Sequence, residues 1–330
     1  MKIKNLICVL VVCMCCFAFT GCGNDAGEVK AEAKENKEVN IKIGVMQVAD
    51  SAVLYVADKE NMFSAAGLNV ELVEFGSASD LSKAFEAGGV DFAMTDMIVE
   101  GLLRKGGKNT KVVRTALGET SAEGRFIIAA APGSGIEKPD DLRGKNIAIS
   151  ENTGMEYQVD SYMDELNIPL DEINKVSIPS LSLRYETMME GTDVDAAILP
   201  DPLGRMAEMN GAKAVIDDTT LNNNVSITVI VADESFIENN KDAVNTFCNI
   251  YDEAAEKLNS NPDEFRQLVL DIANVPENMR ETYEVQKYAV NTVPQKEEVT
   301  RLVEWLKNKG LIENEYTYDE MIDDEFIRGE

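Results

Sequence analysis

Small polar and acidic side chains recur at one kind of place in this chain. Asp50 and Ser51 follow the apolar run at 41–46, and Ser77 and Ser79 follow the run at 68–75. Thr95 and Asp96 close the run at 90–96, Asn152 and Thr153 follow 147–149, and Asp201 follows 196–200. These runs are β-branched or alternating and read as strands. Hydroxyls, amides and carboxylates at strand ends can hydrogen-bond a small polar solute. The same residue types also cap the helices that begin there, and their identities alone leave both roles open. With Glu119 and Glu151, the carboxylates of Asp50, Asp96 and Asp201 suggest an acidic ring. Such a ring suits a cationic or amino-bearing heterocyclic ligand, a pyrimidine among them. Arg125 and Arg184 are the nearest basic candidates, and each can equally be a surface residue.

Composition narrows the chemistry. The chain has no histidine, which excludes Ser-His-Asp and Cys-His catalysis and histidine-ligated metal within it. Its formal net charge of −28 opposes nucleic acid and anionic lipid headgroups. Of six cysteines, four fall in residues 1–21, one is Cys22, and Cys248 stands alone in the rest of the chain. Cys248 shares a three- and four-residue stripe with Val244, Phe247, Tyr251, Ala255 and Leu258. It therefore reads as a buried structural thiol rather than a nucleophile.

Strands alternating with helices must position the strand-end residues. From 41 to 96 the pattern predicts strand, loop, helix, strand, helix, strand. A helix capped by Ser51 should run to near Gly67, and another should carry Leu81, Ala84 and Phe85. This alternation implies parallel pairing with right-handed crossovers, and ligands collect at the carboxyl ends of such strands. The pattern then restarts. Ile43 to Ile147 and Asp91 to Asp195 are both steps of 104 residues, which suggests two lobes on one plan. Pro132-Gly133-Ser134-Gly135 suits a crossing between lobes, and 225–232 a return crossing. From Glu234 onward the chain is mainly helical, with a second stripe at Val299, Leu302, Val303 and Leu306. Trp305, beside that stripe, reads as a packing residue.

At the amino terminus, Lys2 and Lys4 precede an apolar run at 6–19 that is short for a membrane span. It ends Phe19-Thr20-Gly21-Cys22, which resembles a bacterial lipobox. Residues 1–21 are thus expected to be a signal peptide and Cys22 the lipidated first residue of the mature chain. Residues 22–40, polar and rich in charge, read as a flexible tether.

Several segments together resemble the extracytoplasmic solute-binding proteins of ABC importers, in the nitrate, sulfonate, taurine and thiamine-precursor branch. They include Ile41-Lys42-Ile43-Gly44, Leu54-Tyr55-Val56-Ala57, Met62-Phe63-Ser64-Ala65-Ala66-Gly67-Leu68, Gly89-Val90-Asp91-Phe92-Ala93 and Asp141-Leu142-Arg143-Gly144-Lys145. The resemblance implies an α/β fold, a two-lobed periplasmic-binding-protein-like clamp of type II with two hinge crossings. Residues 41–131 and 226–330 would form one lobe and 132–225 the other. The ligand would sit between Asp50, Ser51, Ser77, Ser79, Thr95 and Asp96 on one side and Asn152, Thr153 and Asp201 on the other. The implied partners are a small-molecule ligand, an ABC permease and a membrane reached through the lipid alone. A monomer without nucleic acid, metal or cofactor is expected. An enzyme on the same fold, or a sensory protein handing ligand to a receptor, are the competing functions.

Overall fold

The computed structural model describes residues 38–121, 123–223 and 225–329. The leader at 1–21, Cys22 and the tether up to residue 37 lie outside the described residues. Val39 and Asn40, assigned above to the tether, already belong to the first strand, β1 (Val39–Met46). No helix among the described residues is long and apolar enough to cross a membrane.

Chain order continues with β2 (Leu68–Phe75), β3 (Phe92–Asp96) and β4 (Thr110–Leu117). Then come β5 (Phe126–Ala130), β6 (Asn146–Ile149), β7 (Asn174–Ser177), β8 (Ala196–Pro200) and β9 (Lys213–Asp217). The last is β10 (Thr228–Asp233). These strands make two five-stranded sheets, in the orders β2-β1-β3-β10-β4 and β7-β6-β8-β5-β9. Each has three parallel strands, then one antiparallel strand next to the edge strand. The chemistry behind the common plan is local. Asp91 accepts a hydrogen bond from the Lys42 N–H (2.8 Å), and Asp195 accepts one from the Asn146 N–H (2.9 Å). Each aspartate thereby pins the start of a third strand to a first. The resulting registers correspond: Ile43 lies beside Phe92, and Ile147 beside Ala196.

The crossings differ from the sequence expectation. Residues 126–130, assigned above to the first lobe, form β5 in the second sheet, between β8 and β9. Ile127, Ile128 and Ala129 are wholly buried there. An apolar run marks a central strand but carries no tag for its sheet. The chain therefore crosses earlier, between β4 and β5, and Pro132–Gly135 is a turn closed by the Ser134 N–H on the Ala131 carbonyl. The helix expected up to Gly67 is also divided. Asn61 takes a left-handed conformation (φ 56°) and separates the helices Ala52–Lys59 and Met62–Ala65.

The carboxyl-terminal helices cover the first sheet. Helix Lys241–Ser260 packs on Ala52–Lys59, and helix Lys296–Asn308 packs on Met97–Lys105. Val244, Phe247, Cys248, Tyr251, Ala255 and Leu258 are all buried, as the stripe requires. Beneath them Arg114 of β4 meets Asp252, both wholly buried, with two contacts of 3.1 Å. Arg114 also donates to the Phe326 carbonyl (2.6 Å), which ties down the end of the chain.

Candidate functional site

The strand ends of both sheets border one cavity of about 780 Å³, counting its open mouth. Its walls are mainly apolar, from Met46, Met94, Phe126, Met155 and Leu181. Asp50, Ser51, Thr95 and Asp96 line it from the first sheet's loops, and Thr153, Gln158 and Arg184 from the second's. Thr228 of β10 completes the wall.

Of the nine expected residues, Asp50, Ser51, Thr95, Asp96 and Thr153 therefore line the cavity, while Ser77, Ser79, Asn152 and Asp201 do not. Two of the four outside the lining are held by local hydrogen bonds. Ser77 accepts the Asp80 N–H (3.2 Å) and starts helix Ala78–Glu86. Asp201 accepts the Arg205 N–H (3.0 Å) and lies 3.6 Å from Arg125. β3 ends at Asp96 but β8 ends at Pro200, so Asp201 falls one residue beyond its repeat position. Asn152 sits in a left-handed turn, its N–H bonded to Glu156 (2.9 Å). Ser79 is half-buried beyond Ala78, the residue of that turn which does reach the cavity.

The acidic ring is not assembled. Glu119, Glu151 and Asp201 stand outside the cavity lining. Asp50 accepts a hydrogen bond from the Thr228 hydroxyl (2.7 Å), and burial raises its pKa. Asp96 caps helix Met97–Lys105 through the Val99 N–H (2.9 Å) and also accepts the Gly154 N–H from the other half. Burial raises its pKa as well, against the pull of those amides.

Asp96 and Gly154 are thus a point where the two halves touch. A Cβ at Gly154 would lie 2.9 Å from the Asp96 Cβ, closer than carbon atoms can pack. A second contact flanks it. Trp305, the single tryptophan, meets Tyr157 edge-on at 5.4 Å and donates its indole N–H to Asp160 (3.1 Å). Lys309 pairs with Glu156 on the same helix, Gly154–Glu165. Trp305 therefore packs, as its position beside the stripe suggests, and it does so across the junction.

Gly154→Ala is expected to force the halves apart at this contact. Overpacking of this kind costs about 1–3 kcal/mol. The expected result is a red-shifted Trp305 emission, because its ring loses Tyr157 and gains water. An unchanged spectrum would show that the contact does not hold the halves together.

Residues 48–265 match the family model described as NMT1/THI5 like. The chain belongs to the NMT1/THI5-like family. A relative from Brachyspira hyodysenteriae, named as an ABC transporter periplasmic binding protein, is 25% identical over 82% of this chain and 78% of its own length. Among solved structures, the periplasmic aliphatic sulphonate binding protein SsuA from Escherichia coli superposes with a TM-score of 0.72. It is 16% identical and covers 86% of this chain and 97% of its own. The desulfurization enzyme DSZB has the same fold, with a TM-score of 0.67 and 14% identity over 88% of this chain and 97% of its own. These neighbours establish a periplasmic-binding-protein fold for this NMT1/THI5-like chain.

Gln158 and Thr228 line the cavity without having been expected there, and so does Arg184, which the sequence offers only as one of two basic candidates. The two basic candidates separate clearly. Arg125 is neutralised by Asp217 (2.8 Å) and Glu208 (2.8 Å), outside the cavity. Arg184 projects from helix Leu181–Glu190 into the cavity lining. Gln158 and Thr228 lie within a helix and a strand, where nothing in residue type distinguishes a cavity-facing polar group.

Proposed function

We propose that this chain is the solute-binding component of an ABC importer, which captures a small polar solute between its halves and presents it to a membrane permease. The observation that carries the reading is one cavity bordered by strand ends from both sheets, in a chain of this family. Polar groups from each side meet there, so tight capture needs both. Closure removes water from the solute and strengthens each contact. The relative's name supports a role in ABC transport outside the cytoplasm.

Binding without turnover is favoured over the enzymatic use that DSZB makes of the fold. The chain has no histidine, and Cys248 is wholly buried, with burial pushing its thiol up to about 12. Such a thiol is a poor nucleophile. The test is to incubate the purified protein with a solute mixture, isolate it, and identify retained compounds by native mass spectrometry. Release of unaltered solute is expected; a converted product would overturn the reading in favour of an enzyme.

The mature protein is proposed to act as a monomer held at the extracytoplasmic face of the cell membrane by lipid on Cys22. The lysine-led apolar run ending Thr20-Gly21-Cys22 supports this anchor. One acyl group binds a membrane marginally, and stable anchoring needs more than one chain. Cys22→Ala is expected to release the protein or leave an unprocessed precursor, read by fractionation and labelled-lipid incorporation. Normal trimming with full membrane retention would reject the anchor.

A further inference from the structure

We infer that Glu100 is a proton-binding site in the core beside the first sheet, kept uncharged by its surroundings, so that the stability of the fold falls as the pH rises. This goes beyond the capture reading and holds whatever solute the cavity takes.

Glu100 sits in helix Met97–Lys105 and is wholly buried. Both its carboxylate oxygens are buried, and neither has a hydrogen-bond partner among the described residues. No cation among those residues comes within ion-pair distance of it. The turn that carries it is closed over by apolar packing. A Cβ on the neighbouring Gly101 would lie 2.7 Å from the Leu306 Cδ1, so helix Lys296–Asn308 presses directly on this turn. Ile98, Val112, Leu302 and Val303 belong to the same cluster as Leu306. Such surroundings offer an ionised carboxylate nothing in place of water. Asp50 and Asp96 are buried too, but each accepts hydrogen bonds that hold its charged form, and Glu100 accepts none.

The charged groups that act on Glu100 are two cations, and both are engaged elsewhere. Arg104, one turn on along the same helix, donates to the Thr110 carbonyl, and its guanidinium lies 5.6 Å from the centre of the Tyr316 ring. Lys111 comes from β4, and its ammonium donates to the Asp319 carbonyl (2.7 Å). Helix Met97–Lys105 also packs on β3, β10 and helices Ala78–Glu86, Gly154–Glu165 and Lys296–Asn308. None of these adds a charge that acts on Glu100. Burial outweighs both cations and pushes the carboxyl well above the usual carboxylate range. Glu100 therefore keeps its proton where an exposed glutamate has lost it. In the unfolded chain the same group ionises near its ordinary value, 4.5. Between that pH and the higher folded-state value, the folded protein binds one proton more than the unfolded chain. The stability drawn from this site is complete below the unfolded value and is lost as the pH rises above it.

Glu100→Gln keeps the shape of the side chain and has no proton to lose. Urea unfolding of the intact protein and of this variant, at pH 5, 6 and 7, is the measurement. The ratio of their two folding constants cancels the other titrating groups. That ratio should move in favour of the glutamine variant on the order of tenfold or more between pH 5 and pH 7, the limit for one proton being about tenfold per pH unit. Should the glutamine variant not fold, Glu100→Met, which needs no hydrogen-bond partner, must show the same gain with pH. A ratio that changes less than about twofold over this range overturns the inference, because Glu100 would then titrate alike in the folded and unfolded chain. A variant that loses ground as the pH rises also overturns it, because Glu100 would then be ionised and paired, with Arg104 as the partner. Either result leaves the capture reading intact, since that reading fails only if a retained solute is converted.

Discussion

Asp252→Ala is expected to cost about 3–5 kcal/mol of stability, the range found when one partner of a buried ion pair is removed. The Asp252 carboxylate accepts Arg114 Nε and Nη2 at 3.1 Å each, and the Asn291 N–H at 2.9 Å. Arg328 lies 3.5 Å from it. Alanine would leave the Arg114 guanidinium in the core with only carbonyl partners at Val113 and Phe326. It would also free an amide at Asn291. The pair links β4, helix Lys241–Ser260 and the end of the chain, so the loss should appear as lower global stability rather than local fraying. Urea unfolding monitored by circular dichroism measures it. The double change Arg114→Met with Asp252→Leu should recover most of the loss, since an apolar pair of similar volume has no charge to strand. A single-variant loss below about 1 kcal/mol would mean that water reaches the pair.

The contrast between Arg114 and Arg184 shows why the site was harder to read than the fold. Apolar periodicity reports burial, because each strand or helix must hide one face. The runs that became β1, β2 and β3, and the Cys248 stripe, were legible for that reason. Asp91 and Asp195 were legible as repeat anchors because both make the same backbone contact. An arginine carries no such signal. Its neutralising partner, when it has one, can lie far along the chain: Asp252 is 138 residues from Arg114. Whether Arg184 has one depends on packing of helix Leu181–Glu190 that its own residues do not record. The strand-end polar residues were ambiguous for a different reason. A helix amino terminus and a ligand both want a carboxylate or hydroxyl, and Asp96 caps a helix while lining the cavity, so residue type could not separate it from Ser77 and Asp201, which lie outside the lining. The position of the first crossing was hidden too, because β5 is apolar enough to sit centrally in either sheet.

That crossing carries the other large effect expected from a single substitution, Gly118→Ala. Gly118 follows β4 with φ +93°, a conformation that residues with a side chain rarely adopt. Holding alanine there costs about 1–3 kcal/mol. Its Cβ would also stand 2.1 Å from the Ser226 carbonyl oxygen and 2.8 Å from the Ile227 Cα. These atoms belong to the return segment before β10, so neither neighbour is a flexible side-chain tip. Moving backbone to relieve such overlap adds about 1–3 kcal/mol. The two terms together are about 2–6 kcal/mol. The effect should not stop at stability. The outgoing and returning segments press together at this glycine, so separating them tilts one sheet against the other. Trp305, in the same apolar cluster as Val225 and Ile227 of the return segment, should then shift its emission even where the variant remains folded. Urea unfolding and tryptophan emission test the two consequences separately. Stability within about 0.5 kcal/mol of the parent, the range of an ordinary surface change, would show that the two segments can part without cost.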